Sequence, residues 1–109
     1  MGGSCTTYLM EAFKQEFISR VKAIAFTDSV HGVMRHMPRE YVEFMAKSAC
    51  DWVASDKPRD TLVRSVRDAY NGCVNVSAGH HKHEYTTGYA FPSIFPFFEK
   101  MREGVNPYL

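Results

Sequence analysis

The sequence lacks the features of membrane, secreted and nucleic-acid-binding proteins. No apolar run approaches the ~20 residues that span a bilayer, and the first residues contain no basic stretch followed by the hydrophobic core of a signal peptide. Thirteen Lys and Arg stand against twelve Asp and Glu, so the net charge of +1 is too small to attract a nucleic acid or an anionic membrane. We therefore expect a soluble intracellular protein, nuclear or cytoplasmic, with no membrane partner and no direct nucleic-acid binding.

Cysteine is also scarce. The three cysteines, Cys5, Cys50 and Cys73, are odd in number and widely spaced, and they include no CxxC pair. This pattern argues against a disulfide scaffold and indicates a reducing compartment. We expect all three side chains to be small buried hydrophobes.

The 109 residues, 45% of them hydrophobic, suffice for one domain with a single core. Segments with apolar residues at helical spacing alternate with short apolar runs that are typical of strands buried on both faces. The predicted elements are a helix over 4–20, a strand over 21–27, a helix over 38–49, a strand over 50–54, a helix over 62–69, a strand over 73–77 and a helix over 91–101. Pro96 predicts a kink or a late start in the last helix.

Strict alternation of helices and strands predicts βαβ crossovers and a parallel sheet between helices. No strand precedes the first helix, and only three strands are available where a sheet has about five or six. The expected fold class is therefore α/β, with a partial parallel sheet of about three strands flanked by helices. We expect residues 1–109 to be the C-terminal half of a larger domain, or to pair with another chain that completes the sheet.

A polar cluster follows each predicted strand, and in a parallel sheet these loops gather along one edge, where ligands bind. The clusters are Asp28 and Ser29 with His31, then Asp56 with Asp60, and finally His80, His81 and His83. The three histidines with Cys73 could instead hold zinc. Adjacent histidines rarely converge on one ion, however, and no second Cys or His pair lies at zinc-finger spacing, so we expect no metal and no cofactor.

An acid and then a histidine, each just after a strand, match the last two members of the serine, acid, histidine order of α/β-hydrolases. The serine of that order lies in a G-x-S-x-G elbow between a strand and a helix, where small residues must follow it. Gly2 and Gly3 match the end of such an elbow turn, and the serine would then lie immediately before Met1. We therefore expect no triad hydrolysis from this chain.

Four short motifs occur along the chain in a fixed order. They are AFTDSVH (25–31), WVAS (52–55) with Pro58 and Asp60, VSAG (76–79) with His83, and FPSIF (91–95) with Phe97 and Phe98. Together they resemble the C-terminal half of the argonaute-binding-protein-two domain, an α/β-hydrolase-like family. The resemblance covers nearly the whole chain, and it depends on the order and spacing of the motifs because none of them is specific alone.

The resemblance implies a function as well as a fold. Proteins with this domain are linked to small-RNA-guided silencing by siRNA, to heterochromatin and to RNA processing. It implies a non-catalytic binding or scaffold module whose partners are argonaute or chromatin and RNA-processing complexes. The alternative is a serine esterase or acyl hydrolase whose nucleophile lies upstream of this chain.

By this resemblance, His83 takes the position of the hydrolase histidine. Its orienting acid would be Asp60 or Asp28, and we favour Asp60 because the acid of this fold more often follows the penultimate strand. Such a carboxylate would fix the imidazole tautomer. Both acids have a structural alternative, since Asp60 could cap the next helix and Asp28 could close a turn. The aromatic run is expected to be buried: Phe91, Phe95, Phe97 and Phe98.

Overall fold

The computed structural model of the chain describes residues 2–31, 37–64 and 71–109. These residues form helices and strands, with two helices before the first strand and one helix between the first strand and the second. The elements are α1 (Gly2–Ala12), α2 (Lys14–Arg20), β1 (Ile24–Thr27), α3 (Arg39–Ser48), β2 (Ala49–Val53), β3 (Val74–Ser77), a 3-10 turn (His83–Tyr85) and α4 (Thr86–Arg102).

The strands form one parallel sheet in the order β1-β2-β3. In its register Ala25 lies opposite Cys50, and Trp52 lies opposite Val76. All five residues of the central strand β2 are buried, which is typical of a parallel strand covered on both faces. The α/β fold class, with a three-stranded parallel sheet flanked by helices, is confirmed.

The two faces of the sheet build two hydrophobic clusters, because successive side chains of a strand point to opposite faces. On one face, Met10 of α1 and Met45 of α3 pack with Phe26 of β1. On the other face, Trp52 of β2 packs with Phe97 of α4, and their rings meet edge to face at 5.4 Å. The helices therefore cover both faces, and burying each large side chain stabilises the fold by about 1.5 to 3 kcal/mol.

The helix predicted over 4–20 is interrupted at one residue. Phe13, between α1 and α2, has φ −124° and ψ 49°, which lie outside the helical region. The strand predicted over 21–27 is shorter than expected, because the Val21 N–H still donates to the Phe17 carbonyl and closes α2. Residues 21–23 therefore act as a connection, and β1 begins only at Ile24.

The last helix begins earlier than predicted. It starts at Thr86 and continues through Pro92 and Pro96, so the expected late start is wrong. Both prolines are exposed, and water can therefore bond the carbonyls that lose an N–H partner.

The sequence predicts that all four phenylalanines of the aromatic run are buried, and the structure confirms this for only part of the run. Phe97 is buried against the sheet, whereas Phe91 and Phe95 are each 58% exposed. The prediction is wrong for these two rings because the face of α4 that meets the sheet carries Ala90, Ser93 and Phe97, which are spaced at helical intervals.

Residues 60–63 pair with the outer edge of β3 instead of starting a helix. Leu62 forms an antiparallel bridge with Val76, and the Val63 N–H donates to the Asn75 carbonyl at 3.0 Å. The helix predicted over 62–69 is therefore wrong at its first residues, and residues 65–70 lie outside the described residues. Extended pairing satisfies backbone groups at an edge that would otherwise be open.

Two of the three cysteines are buried as predicted, Cys50 and Cys73, whereas Cys5 on α1 is exposed, so the prediction is wrong for Cys5. Burial raises the pKa of the Cys50 thiol, which keeps it protonated and apolar in character. Within the described ranges, we find no helix with the length and apolar character needed to cross a membrane.

Candidate functional site at the carboxyl edge of the sheet

The carboxyl ends of the strands bring three distant segments together. Asp28 directly follows β1, Ala54 directly follows β2, and His83 lies in the 3-10 turn after β3. Parallel strands end at the same edge of a sheet, so residues far apart in the sequence meet there.

Asp28 and His83 form the central contact of this edge. The His83 Nδ1–H donates to Asp28 Oδ2 at 2.6 Å, and the Ala54 N–H donates to Asp28 Oδ1 at 3.0 Å. The Asp28 side chain is 7% exposed and the His83 side chain 71%. A carboxylate that accepts the Nδ1–H fixes the imidazole tautomer and leaves Nε2 as a proton acceptor on the solvent side.

The backbone of Asp28 positions its carboxylate. Its N–H donates to the Trp52 carbonyl at 2.7 Å, so the pairing of β1 with β2 continues for one residue beyond the strand. Its φ of +47° then turns the chain sharply. Few residues other than glycine adopt this left-handed region, although Asp and Asn tolerate it best.

Asp60, the acid that the sequence favoured, is bonded to other side chains. Its Oδ1 accepts from Trp52 Nε1–H at 2.9 Å and from the Tyr108 hydroxyl at 3.1 Å, and its Oδ2 accepts from the Ser93 hydroxyl at 2.7 Å. Burial, together with the nearby Asp60 carboxylate, raises the pKa of Tyr108.

The two candidate acids therefore differ in the side chains that they contact. The structure places Asp28, and not Asp60, against the His83 ring. The helix-cap alternative for Asp60 is also wrong at this point, because the residues that follow it are extended along β3.

Gly2 and Gly3, the residues predicted for the elbow turn, line the same cleft as Asp28 and His83. The cleft has a volume of about 510 Å³, and both glycines lie in the first turn of α1. A Cβ added at Gly3 would lie 1.8 Å from Ser29 Oγ, whereas one added at Gly2 would meet no atom within 4 Å. The close approach of α1 to the loop after β1 thus requires glycine at position 3 only.

A buried histidine lies behind the cleft. His31 is 1% exposed, stacks on Phe26 with ring centroids 3.9 Å apart, and donates from Nε2–H to the Asn71 carbonyl at 2.8 Å. Its Nδ1 then accepts the Ser29 hydroxyl proton at 2.7 Å. Burial lowers the pKa of His31, although the bond to Asn71 opposes this effect.

The sequence analysis did not identify the polar network that supports this loop. The Asn71 side-chain amide donates to Asp51 Oδ2 at 2.8 Å and to Asn75 Oδ1 at 3.1 Å, and the Ser29 N–H donates to Asp51 Oδ1 at 3.3 Å. The signal was present, because Asp51 and Asn75 interrupt the apolar runs of β2 and β3, and buried polar groups in a strand need partners. The network joins the sheet to the loop that carries Asp28.

His80 and His81, which precede His83 in the loop after β3, have other partners than the Asp28 carboxylate. His80 stacks on His81 at 4.8 Å and packs against Tyr85 and Tyr89 at 4.9 and 4.7 Å. His81 Nδ1 lies 3.4 Å from Asp56 Oδ1. In the part of the chain that the structure describes, no three His, Cys, Asp or Glu side chains converge as metal ligands.

The described residues thus define an α/β protein with an aspartate and histidine pair at the carboxyl edge of a parallel sheet. Nearly all of its sequence is similar to proteins named cotranscriptional regulator ARB2A. The Gallus gallus homolog is 40% identical over 106 residues, 96% of the chain. The Homo sapiens protein is 39% identical over 103 residues, 94% of the chain, and the Dictyostelium discoideum homolog is 36% identical over 98 residues, 88% of the chain.

The chain is therefore a member of the ARB2A family, that of argonaute-binding protein 2, and is homologous to a C-terminal part of its proteins. It spans about a quarter of the length of these relatives, 24 to 25%. No family model matches the chain, and no solved structure matches it significantly.

Proposed function

We propose that the chain forms a protein-binding module of a cotranscriptional regulator and does not itself catalyse hydrolysis. The observation that carries this proposal is the 36 to 40% identity to proteins named cotranscriptional regulators over 88 to 96% of the chain. Identity across nearly the whole sequence supports a shared role better than the fold does, because one fold serves many functions.

In this proposal the module acts in small-RNA-guided silencing, heterochromatin formation or RNA processing, in the nucleus or the cytoplasm. Its partner is argonaute or a component of a chromatin or RNA-processing complex. The net charge of +1 favours a protein partner, because a nucleic-acid surface needs a local excess of Lys and Arg.

The Asp28–His83 pair is, in this view, an inherited hydrolase-type pair without a nucleophile. Among the described residues, no hydroxyl group is hydrogen-bonded to the His83 ring, which instead contacts the Asp28 carboxylate. An acid and a histidine can bind and orient a ligand, but acyl transfer by a triad also needs the serine.

Partner capture tests the proposal. The tagged chain is expected to recover an argonaute or a chromatin-modifying complex from a nuclear extract. The His83→Ala variant is expected to recover the same proteins, because His83 has no catalytic task in this account. Recovery of neither class of partner by the unmodified chain would contradict the proposed function.

A second candidate is an acyl hydrolase whose serine is supplied from upstream of Gly2 in a longer protein. The 2.6 Å contact between His83 and Asp28, beside the cleft residues Gly2 and Gly3, favours it. A fluorophosphonate probe tests this candidate on the longest form that can be expressed. Labelling of a serine that is lost in His83→Ala would establish hydrolase chemistry, and absence of labelling supports the binding module.

A further inference from the structure

A second cavity lies at the opposite end of the sheet from the Asp28–His83 cleft. It has a volume of about 940 Å³ and lies where β1 and β2 begin and α4 ends. Phe98 and Met101 contribute to an apolar floor, the rim carries Lys22, Lys47 and Arg102, and none of the lining side chains is acidic. We call this cavity the basic groove.

We propose that the basic groove binds an acidic amphipathic peptide segment of the protein partner, an inference that rests on the proposed function. Apolar side chains of the segment pack on the floor, and its Asp or Glu side chains pair with the cationic rim. The groove is open to solvent rather than enclosed, so it suits a peptide that lies across it better than a small lipid, which needs enclosure.

The end of α4 fixes one wall of the groove. The Gly104 N–H donates to the Met101 carbonyl at 2.9 Å, and the Val105 N–H donates to the Lys100 carbonyl at 3.0 Å. These two bonds form a Schellman motif, and Gly104 supplies the left-handed residue that it requires, with φ +86°. The chain therefore turns back along the groove after α4.

The turned segment is also tied to α3. The Asn106 side-chain amide donates to the Lys47 carbonyl at 3.0 Å. The wall and the rim are thus formed before a ligand arrives, which lowers the entropic cost of binding.

The rim cations remain available to a ligand. Arg102 lies 3.8 Å from Glu99, but both side chains are largely exposed, so this ion pair is weak. Lys47 and Arg102 lie in the last turns of α3 and α4, where the helix dipole favours cations. Lys22 follows α2, and its Nζ–H donates to the Ser19 carbonyl in the last turn of α2 at 2.8 Å, which leaves the other ammonium N–H groups of Lys22 for a ligand.

Fluorescence anisotropy with labelled probes tests the inference. The probes are a short peptide in which Leu and Phe alternate with Asp and Glu, the same peptide with Lys in place of each acid, and a single-stranded RNA. We expect the acidic peptide to bind most tightly. We also expect raising the salt to about 0.5 M to weaken that binding, because the rim charges are exposed.

Charge reversal at the rim provides the matched comparison. The double variant Lys47→Glu with Arg102→Glu is expected to weaken binding of the acidic peptide by about ten-fold or more. The control double variant Lys14→Glu with Lys82→Glu makes the same change in net charge at exposed positions outside the groove. It is expected to bind the peptide as the unmodified chain does, and equal thermal unfolding curves check that both variants fold.

Three results would overturn the inference: equal affinity for the two peptides, tighter binding of the RNA, or no loss of affinity in the groove variant. A failure of the groove inference can be distinguished from a failure of the proposed function. If the groove variant loses no peptide affinity and still captures the partner complex, the groove inference fails and the proposed function stands. If the unmodified chain captures no partner, the proposed function fails, and the groove inference fails with it.

Discussion

Asp28 and Asp60 both adopt the left-handed backbone region, with φ of +47° and +73°. Residues other than glycine rarely do so, and the strain persists only where surrounding contacts hold it. At Asp28 those contacts are the His83 ring and the Ala54 amide. At Asp60 they are side-chain donors of β2, of α4 and of the segment after it. The first aspartate orients a histidine, and the second joins parts of the fold.

At Gly3, the addition of a single methyl group is expected to lower the stability of the fold. Gly3→Ala would place a methyl group 1.8 Å from Ser29 Oγ and 3.1 Å from the His31 Cβ, and Ser29 could rotate away only by losing its bond to His31. We expect the free energy of unfolding to fall by about 1 to 3 kcal/mol in a urea titration.

Gly2→Ala is the control for this change, because a Cβ there meets no atom within 4 Å. Alanine favours a helix over glycine, so stability should stay equal or rise by up to about 1 kcal/mol. If Gly3→Ala is as stable as Gly2→Ala, the close packing of α1 on the loop after β1 is wrong.

Stability should depend on pH through His31. Burial lowers the pKa of His31 below its ordinary value of 6.5, so just below that pH the unfolded chain binds more protons than the folded chain. Folding stability is then complete above about pH 6.5 and decreases as the pH falls from there towards the lowered pKa. Thermal unfolding at about pH 7.5 and about pH 5.5 measures this loss.

The His31→Gln variant removes the titrating ring and keeps a polar side chain. We expect a lower stability than the unmodified chain at both pH values, but a smaller decrease between them. All other residues are the same in both proteins, so their contributions cancel in the comparison. An equal decrease in the two proteins would show that His31 is not the source of the pH dependence.

On the scale of elements, Asp60 connects two of them and the segment that follows α4. Its carboxylate accepts hydrogen bonds from Trp52 on β2, from Ser93 on α4 and from Tyr108 in the segment after α4. Asp60→Asn keeps the shape and the tolerance for a positive φ but replaces one acceptor oxygen with a donor. We expect a loss of about 1 to 3 kcal/mol in stability, measured by urea unfolding followed through the fluorescence of Trp52.

Asp56→Asn makes the same chemical change at an exposed residue of the same loop. It should alter stability by less than about 0.5 kcal/mol. Equal stability of the Asp60 and Asp56 variants would contradict the role of Asp60 as a connecting residue.

Helix α4 contains two prolines, Pro92 and Pro96, although proline has a low helix propensity. Pro96→Ala restores an N–H that can donate to the Pro92 carbonyl, and Pro96 is exposed, so no core contact is lost. We expect Tm to rise, with a gain of about 1 to 3 kcal/mol. Pro38→Ala, at the residue before α3, adds no helical bond and should leave Tm equal or slightly lower. A fall of Tm in Pro96→Ala would mean that the helix bends there for a packing reason.

The sequence predicted the existence of elements with strong apolar patterns better than it predicted the residues at which they begin and end. Strands β1, β2 and β3 lie within a few residues of the predicted runs, because buried parallel strands are apolar on both faces. The break at Phe13 and the pairing of Leu62 with Val76 were not predicted. Both depend on contacts with other parts of the fold, which local periodicity does not contain.

On the scale of the whole molecule, the sequence identified a few candidate site residues but did not show which aspartate lies against His83. The rule that polar loops gather at the carboxyl edge of a parallel sheet indicated Asp28, Asp60 and His83 as candidates. Each aspartate follows a strand, so the local signal is the same for both. The loop after β3 brings His83 to Asp28, while the donors that surround Asp60 come from β2, α4 and the segment after it.

The pairing of His83 with Asp28 is the central claim of this account, and NMR of the histidine ring nitrogens tests it most directly. We expect His83 in the Nδ1–H tautomer, with its Nδ1 proton shifted strongly downfield by the Asp28 carboxylate. Asp28→Asn should move that proton signal upfield, and Asp60→Asn should leave it in place. A downfield signal that persists in Asp28→Asn and disappears in Asp60→Asn would contradict the assignment of Asp28 as the partner of His83.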